Sequence, residues 1–408
     1  MKRTLITNIG MLATPQGTAA RGGRAQGEIC ILKNAWILIE NDLIAQVGTS
    51  AAPAAADAQT INAGGKLVTP GLVDAHTHLI FGGWRQNELA LKLHGAGYLD
   101  ILAAGGGILS TMRATQSASE EQLEAKASAA LDEMLRFGTT TAEAKSGYGL
   151  STEEECKALR VIGKLQKHHV MDLAATFMGA HAVPEAYRDN RQGYLELLCE
   201  EMLPAVREQG IAEFCDVFCE KGVFSAEESR RILLTGRQHG LRPKIHADEI
   251  EAIGGSELAG EIGAVSAEHL IVCPPSGIAS MAEGGTVACC LPATSFYLGA
   301  AYAPVQDMVQ AGVPVAMATD FNPGSCPCLN MQLVISLGCL RYRLTPEQAL
   351  TAVTLNGAAA ICRADRIGSI EPGKQADILI WNAEDLDYIC YRLGSNLVDT
   401  VIKKGNVV

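Results

Sequence analysis

Between residues 66 and 369 short apolar runs alternate with longer amphipathic stretches, and this alternation restricts the chain to a parallel α/β architecture. Eight runs read as strands: residues 67–77, 139–145, 173–181, 213–220, 244–249, 264–270, 285–292 and 313–320. The stretches 120–137, 152–167 and 226–239 carry helical periodicity. Eight strands with intervening helices over this length fit a (β/α)8 TIM barrel; a doubly wound open sheet is the alternative. The polar residues favour the barrel, because nearly every candidate strand ends in a side chain suited to chemistry, and barrel active sites lie at the C-terminal ends of the strands. Residues 1–65 and 370–408 read differently, as short alternating strands (5–12, 28–32, 35–40, 43–47, 376–381 and 398–403) punctuated by turn residues. The expected organisation is therefore a catalytic barrel over 66–369 flanked by strand-rich ends, 1–65 and 370–408.

The charge of −12, with no Lys/Arg-rich run, argues against nucleic acid as a partner. No apolar run approaches the ~18–20 residues of a membrane span. Met1-Lys2-Arg3 is followed by a stretch too short and too interrupted for a signal peptide, so it reads as the start of an ordinary strand. Thirteen cysteines, many inside apolar runs, suit free thiols in a reducing, cytoplasmic setting. Cys326 and Cys328 form an isolated C-x-C with no second Cys/His pair near it in sequence.

The chemistry concentrates at strand ends. His76 and His78 are two apart on the first strand, which places both imidazoles on one face about 6–7 Å apart. His246 ends the fifth strand, His269 the sixth and Asp320 the eighth. Such a set suits a single transition metal with an open place for water, whose pKa falls to about 7 on the ion. His76, His78, His246 and Asp320 are taken as ligands, with His269 beside them to orient water or the scissile carbonyl. Zinc fits nitrogen and oxygen ligands; iron or manganese is also compatible. Glu249, just past the fifth strand, is placed to move a proton from water to a leaving nitrogen, and Asp320 can share that transfer. Lys145 is read as a lysine paired with a carboxylate rather than as a carboxylated bridge between two metals. Glu220, at the end of the fourth strand, is read as a supporting residue. The run Gly105-Gly106-Gly107 lacks the Lys-Ser/Thr of a phosphate loop and reads as a close-passing loop or lid hinge.

The motifs PGLVDAHTHL (70–79), HADE (246–249), ATDFNPGS (318–325) and GSIEPGKQADILIW (368–381) resemble the amidohydrolase superfamily over nearly the whole chain. FGGWR (81–85), AGGGI (104–108), KSGYGL (145–150), GAHAVP (179–184) and DFNPGS (320–325) are similar to those members that open a cyclic amide carrying a propanoate tail. Ala75 stands where many such relatives carry Cys, at a position pointing away from the two histidines. The resemblance implies the barrel, a small β-sandwich built from both chain ends (1–65 and 370–408), the same four metal ligands, and hydrolysis of a ring C–N bond. It also implies a small carboxylate-bearing substrate held by Arg85, Tyr148, His181, Glu249, Asn322, Gly324 and Ser325, and a homodimer. An arginine fork can grip a carboxylate in bidentate fashion, and Tyr148 can donate a further hydrogen bond to it. His181 can meet the tail or a ring atom, while Asn322 and the backbone near Gly324 and Ser325 can read ring nitrogens. An aminohydrolase acting on a heterocyclic base is the nearest alternative. A scaffold that has lost its chemistry is a second, opposed by the intact histidine set.

Overall fold

The computed structural model describes residues 2–53, 57–94 and 106–408. Its strands are β1 (Arg3–Thr14), β2 (Cys30–Glu40), β3 (Leu43–Gly48), β4 (Gln59–Asn62), β5 (Leu67–Pro70), β6 (Leu72–Asp74), β7 (Thr139–Lys145), β8 (Asp172–Ala180), β9 (Phe214–Cys219), β10 (Arg242–Ala247), β11 (Ser266–His269), β12 (Val287–Cys290), β13 (Val315–Met317), β14 (Ile378–Trp381), β15 (Val398–Lys403) and β16 (Asn406–Val407).

Strands β6 to β13 pair in chain order, each parallel to the next. A parallel bridge between Thr77 and Phe321 closes the ring, with Asp320 N donating to His76 O at 3.0 Å and His78 N to Phe321 O at 2.9 Å. Asp74 fastens the same seam by accepting from Thr319 N (3.0 Å) and Thr319 Oγ1 (2.6 Å). The structure is thus a (β/α)8 barrel. Its helices follow from local chemistry. Glu120–Arg136 opens with a capping box from Ser119 and Gln122 and buries Leu123, Ala127, Leu131 and Met134, which fall on one helical face. Thr152–His168 and Ala226–Gln238 have the same amphipathic build.

The two chain ends interleave in a second eight-stranded sheet, ordered β16-β15-β14-β5-β1-β2-β3 with β4 also on β1. Ile6, Ile9, Ile37, Ile39, Val68, Ile378, Ile380 and Ile402 form its own apolar cluster. The run 67–77, read as one strand, is divided between the two sheets: β5 pairs with β1 and β14, β6 with β7. The division falls at Pro70-Gly71. Proline offers no ladder N–H, and a Cβ on Gly71 would lie 2.3 Å from Thr140 Oγ1, so the crossing needs glycine. The segments 28–32 and 35–40, read as separate strands, are one strand, β2.

The barrel interior departs from the usual stack of branched apolar side chains. Glu143, Lys145, Asp216, Lys244 and Glu268 are all fully buried inside it. Lys145 Nζ lies 2.7 Å from Asp216 and 2.8 Å from Glu143; Lys244 Nζ lies 2.8 Å from Glu143 and 3.3 Å from Glu268. All thirteen cysteines are free thiols. Among the described residues no helix is long and apolar enough to cross a membrane.

Candidate metal centre and active site

Period-two geometry carries His76 and His78, directly beyond β6, to the same side of the chain, and the ends of β10, β11 and the segment after β13 bring His246, His269 and Asp320 to them. Ring centroids lie 4.6 Å apart for His76–His246, 5.3 Å for both His76–His78 and His78–His246, and 5.2 Å for His246–His269. Asp320 Oδ1 stands 3.4 Å from His76 Nε2 and 3.6 Å from His78 Nε2. All five residues are buried. His269 and Asp320 hold left-handed backbone angles, φ +69° and +56°, which are uncommon for residues with a Cβ and concentrate at functional sites.

Tautomers can be assigned from the partners. His76 Nδ1 meets the Glu268 carboxylate at 2.8 Å and His246 Nδ1 meets Asp216 at 3.1 Å, so both Nδ1 atoms donate. Their Nε2 atoms are then lone pairs pointing inward. His246 Nε2 faces His78 Nε2 at 3.3 Å, and His76 Nε2 is buried with no hydrogen-bond partner. Acceptors aimed at one another and at a carboxylate, away from water, call for a cation, and this donor set fits a transition metal. Among the described residues the groupings that can hold an ion are His76–His78–Asp320 and His76–His246–His269, which share His76. Lys145 is not available to bridge two ions, since its ammonium is committed to Asp216 and Glu143.

Burial first, and then the neighbouring Lys145 and the other imidazoles, hold His76 well below the ordinary histidine range; burial and the imidazoles of His181 and His246 do the same for His78. Burial brings His269 down to about 4 and His181 to about 3. These rings are neutral at physiological pH, as metal ligation requires. Burial also pushes the Glu249 carboxyl up to about 7, against the opposing influence of His246, and its Oε1 lies 3.8 Å from His269 Nδ1. Asp320, raised by burial, accepts from Thr294 Oγ1 at 2.7 Å.

The remaining site residues fall around this cluster. The His181 ring stacks on His78 at 4.8 Å and donates Nδ1–H to Gly147 O at 3.0 Å, which leaves Nε2 as an acceptor. Tyr148 sits 5.8 Å from His78 and 5.2 Å from His181. Burial raises its phenol, and Asp320 adds to the rise while Arg85 opposes it. Arg85 makes a two-pronged pair with Glu88 and packs against Gly324, where an added Cβ would lie 2.1 Å from Arg85 Nη1. Asn322 spends its amide on its own loop: Oδ1 accepts from Gly324 N and Ser325 N, and Nδ2 donates to Asp320 O and Ser325 Oγ. Glu220 accepts from the backbone of Lys221, Ile250 and Glu251 and so fixes the turn that follows Glu249. Gly107, at φ +73°, begins the helix Ile108–Ser117; Gly105 lies outside the described residues.

Sequence reasoning missed Glu268, Asp216, Thr294 and Glu88. For Asp216 a signal existed. A lone charge inside an otherwise apolar strand, as in FCDVFC, is too costly to bury without a partner.

A closed barrel with a buried imidazole–carboxylate cluster at its C-terminal face defines a metal-dependent hydrolase acting on C–N bonds, and the chain belongs to the amidohydrolase family, whose model matches residues 67–408. Within that family its near kin are imidazolonepropionases. One from Alkaliphilus metalliredigens (strain QYMF) is 50% identical, with 100% of this chain and 98% of the relative covered. Another, from Bacillus cereus (strain G9842), is 48% identical over 100% of this chain and 97% of the relative. Among solved structures a triazine hydrolase variant superposes with a TM-score of 0.76 at 17% identity, covering 100% and 94% of the two chains. A zinc-bound adenosine deaminase from Xanthomonas campestris gives 0.71 at 20% identity over 99% and 92%. At these identities the two structures establish the shared fold.

Proposed function

We propose that the protein hydrolyses 4-imidazolone-5-propanoate to N-formimidoyl-L-glutamate, the ring-opening step of histidine degradation. The observation that carries this reading is the similarity to imidazolonepropionases over the full chain, joined to a buried imidazole–carboxylate cluster with a guanidinium at its rim. His76, His78, His246 and Asp320 hold one metal ion, zinc in the first instance and iron in the second. When bound, such an ion acidifies a water and polarises a carbonyl.

Glu249 is the proton carrier. A carboxyl tuned to about 7 can take a proton from water near neutral pH and return it to the ring nitrogen as the C–N bond breaks. The carbonyl carbon gains the water oxygen, the nitrogen gains a hydrogen, and the carbonyl becomes the new carboxylate. His269, neutral and beside Glu249, orients the water or the carbonyl oxygen. Asp320, anchored by Thr294, shares the proton transfer. Arg85 and Tyr148 hold the propanoate, the substrate's carboxylate-bearing end. His181, whose Nε2 is a lone pair, accepts from a ring N–H rather than donating to the tail. Asn322 acts by shaping the loop that presents Gly324 and Ser325.

The test is turnover of freshly made 4-imidazolone-5-propanoate by the metal-loaded protein, beside a panel of aminated heterocycles. Acceleration over spontaneous decay on the first, with no ammonia from the second, is expected. Ammonia release alone would favour an aminohydrolase and end this reading.

A further inference from the structure

The guanidinium of Arg85 has two edges that can accept a carboxylate, and the structure uses one of them internally. Nε lies 2.9 Å from Glu88 Oε1 and Nη2 lies 2.9 Å from Glu88 Oε2, so the side edge is filled by a fork-to-fork pair. Gly324 packs over Nη1 and Cζ, where an added Cβ would lie 2.1 and 2.7 Å away, and neither Glu88 contact uses Nη1 of the end edge. Glu88 is itself held. Its side chain is 2% exposed, and its Oε1 accepts from Gly107 N at 2.7 Å. Gly107 is the residue before the helix Ile108–Ser117, where backbone N–H groups and the helix dipole favour a negative charge.

We infer that Glu88 is a positioning residue for substrate recognition: it clamps the side edge of Arg85 between the start of the Ile108–Ser117 helix and Gly324, so that the end edge alone meets the substrate carboxylate. The inference rests on the proposed role of Arg85 toward the propanoate and goes beyond it by naming what aims the guanidinium. An arginine without this clamp would sample many rotamers and lose that freedom on binding substrate, because its side chain carries high conformational entropy. Glycine at 324 belongs to the same device, since any Cβ there would displace Nη1.

Two forces act in opposite directions here, which makes the idea decidable. The Glu88 charge cancels that of Arg85, so on electrostatics alone its removal strengthens the attraction for an anionic tail and lowers KM. If aiming dominates, removal raises KM. We expect Glu88→Ala to raise KM for 4-imidazolone-5-propanoate by about 10- to 100-fold, the range that losing charged hydrogen bonds spans. The change in kcat should be much smaller, and bound metal should stay at the wild-type level. Glu88→Gln, which keeps one acceptor for Gly107 N–H and Arg85 Nε–H, should fall between the two; if the alanine variant does not fold, it carries the test. On the neutral-tailed 4-imidazolone-5-propanamide the ratio of variant to wild type should shrink toward one, whereas a general structural defect would persist with both substrates. An unchanged or lowered KM for the carboxylate overturns the inference. Arg85→Ala, run in parallel, separates the two levels. A flat KM there removes the propanoate reading itself, while a raised KM there with flat Glu88 variants removes only the clamp.

Discussion

His76 shows how one side chain is prepared for its task. Its Nδ1 donates to Glu268, a carboxylate that is itself fastened by Lys244 and Ser266, and its Nε2 is left as a bare lone pair among neighbours of the same kind. Replacing His76 by alanine should abolish turnover and bound metal while the barrel still melts cooperatively. Glu268→Gln is the subtler test. A glutamine can turn its NH2 toward Nδ1 and move the ring proton to Nε2, so metal affinity should fall about 10- to 100-fold in chelator competition. Equal affinity in the variant would remove Glu268 from the metal site. In the proposed mechanism Glu249 sets the pH behaviour. Its carboxyl, raised to about 7, is active as a base when ionised, so kcat/KM should rise as pH increases through about 7. Glu249→Gln should lose that limb along with most of the rate, and a limb that survives the substitution belongs to another group. The gathering of His76, His78, His246 and His269 was legible in the sequence because polar rings at the ends of apolar strands are hard to explain otherwise. Glu88 was not, because its partner Gly107 is nineteen residues away and the pairing needs the loop and the helix start to meet in space.

At the scale of elements, a two-residue period and turn residues were enough to locate the strands. Residues 139–145 and 398–403 emerge with the same bounds as β7 and β15. The break between β5 and β6 was hidden. The run 67–73 is almost continuously apolar because it is buried in both sheets it serves, and periodicity cannot report a change of partner inside such a run. Gly71 is where that change is made. Gly71→Ala, whose Cβ would meet Thr140 Oγ1 at 2.3 Å and Cγ2 at 2.5 Å, should destabilise the fold by about 1–3 kcal/mol through overpacking. Urea unfolding measures this, and a neutral result would mean that Thr140 rotates away freely. Of the charged interior, the sequence reading reached only the pairing of Lys145 with a carboxylate. Glu143, Lys145, Asp216, Lys244 and Glu268 come from four different strands, and only the closed barrel shows that each finds a counter-charge.

For the molecule as a whole, the joint between the end sheet and the barrel is electrostatic at one corner. Lys403 on β15, fully buried, reaches Asp377 at 2.7 Å and Asp172 at the start of β8 at 2.8 Å. Burial alone would raise the Asp172 carboxyl, but Lys403, with hydrogen bonds from Lys403, Lys404 and Gln375, brings it down to about 2. A carboxylate depressed in the folded state contributes stability above its unfolded pKa of about 4, and loses it as pH falls toward 2. Lys403→Met should therefore lower stability at pH 7, by about 3 kcal/mol if Asp377 is left without its partner, and flatten the loss between pH 4 and 2. An unaltered acid profile would show that the corner is held by packing alone. That both chain ends are strand-rich was legible from their pattern, and the family resemblance joined them into one unit. That they are locked to the barrel by a buried lysine was not, since a single Lys near a C-terminus reads as solvent-exposed.

The proposed reaction opens a cyclic amide at its carbonyl carbon. The most direct measurement is the product formed from 4-imidazolone-5-propanoate in heavy-oxygen water by the metal-loaded protein. N-Formimidoyl-L-glutamate should form faster than by spontaneous decay, with one solvent oxygen located in the carboxylate that was the ring carbonyl. Solvent oxygen at the one-carbon unit instead, or no acceleration from a protein that holds its metal, would contradict it.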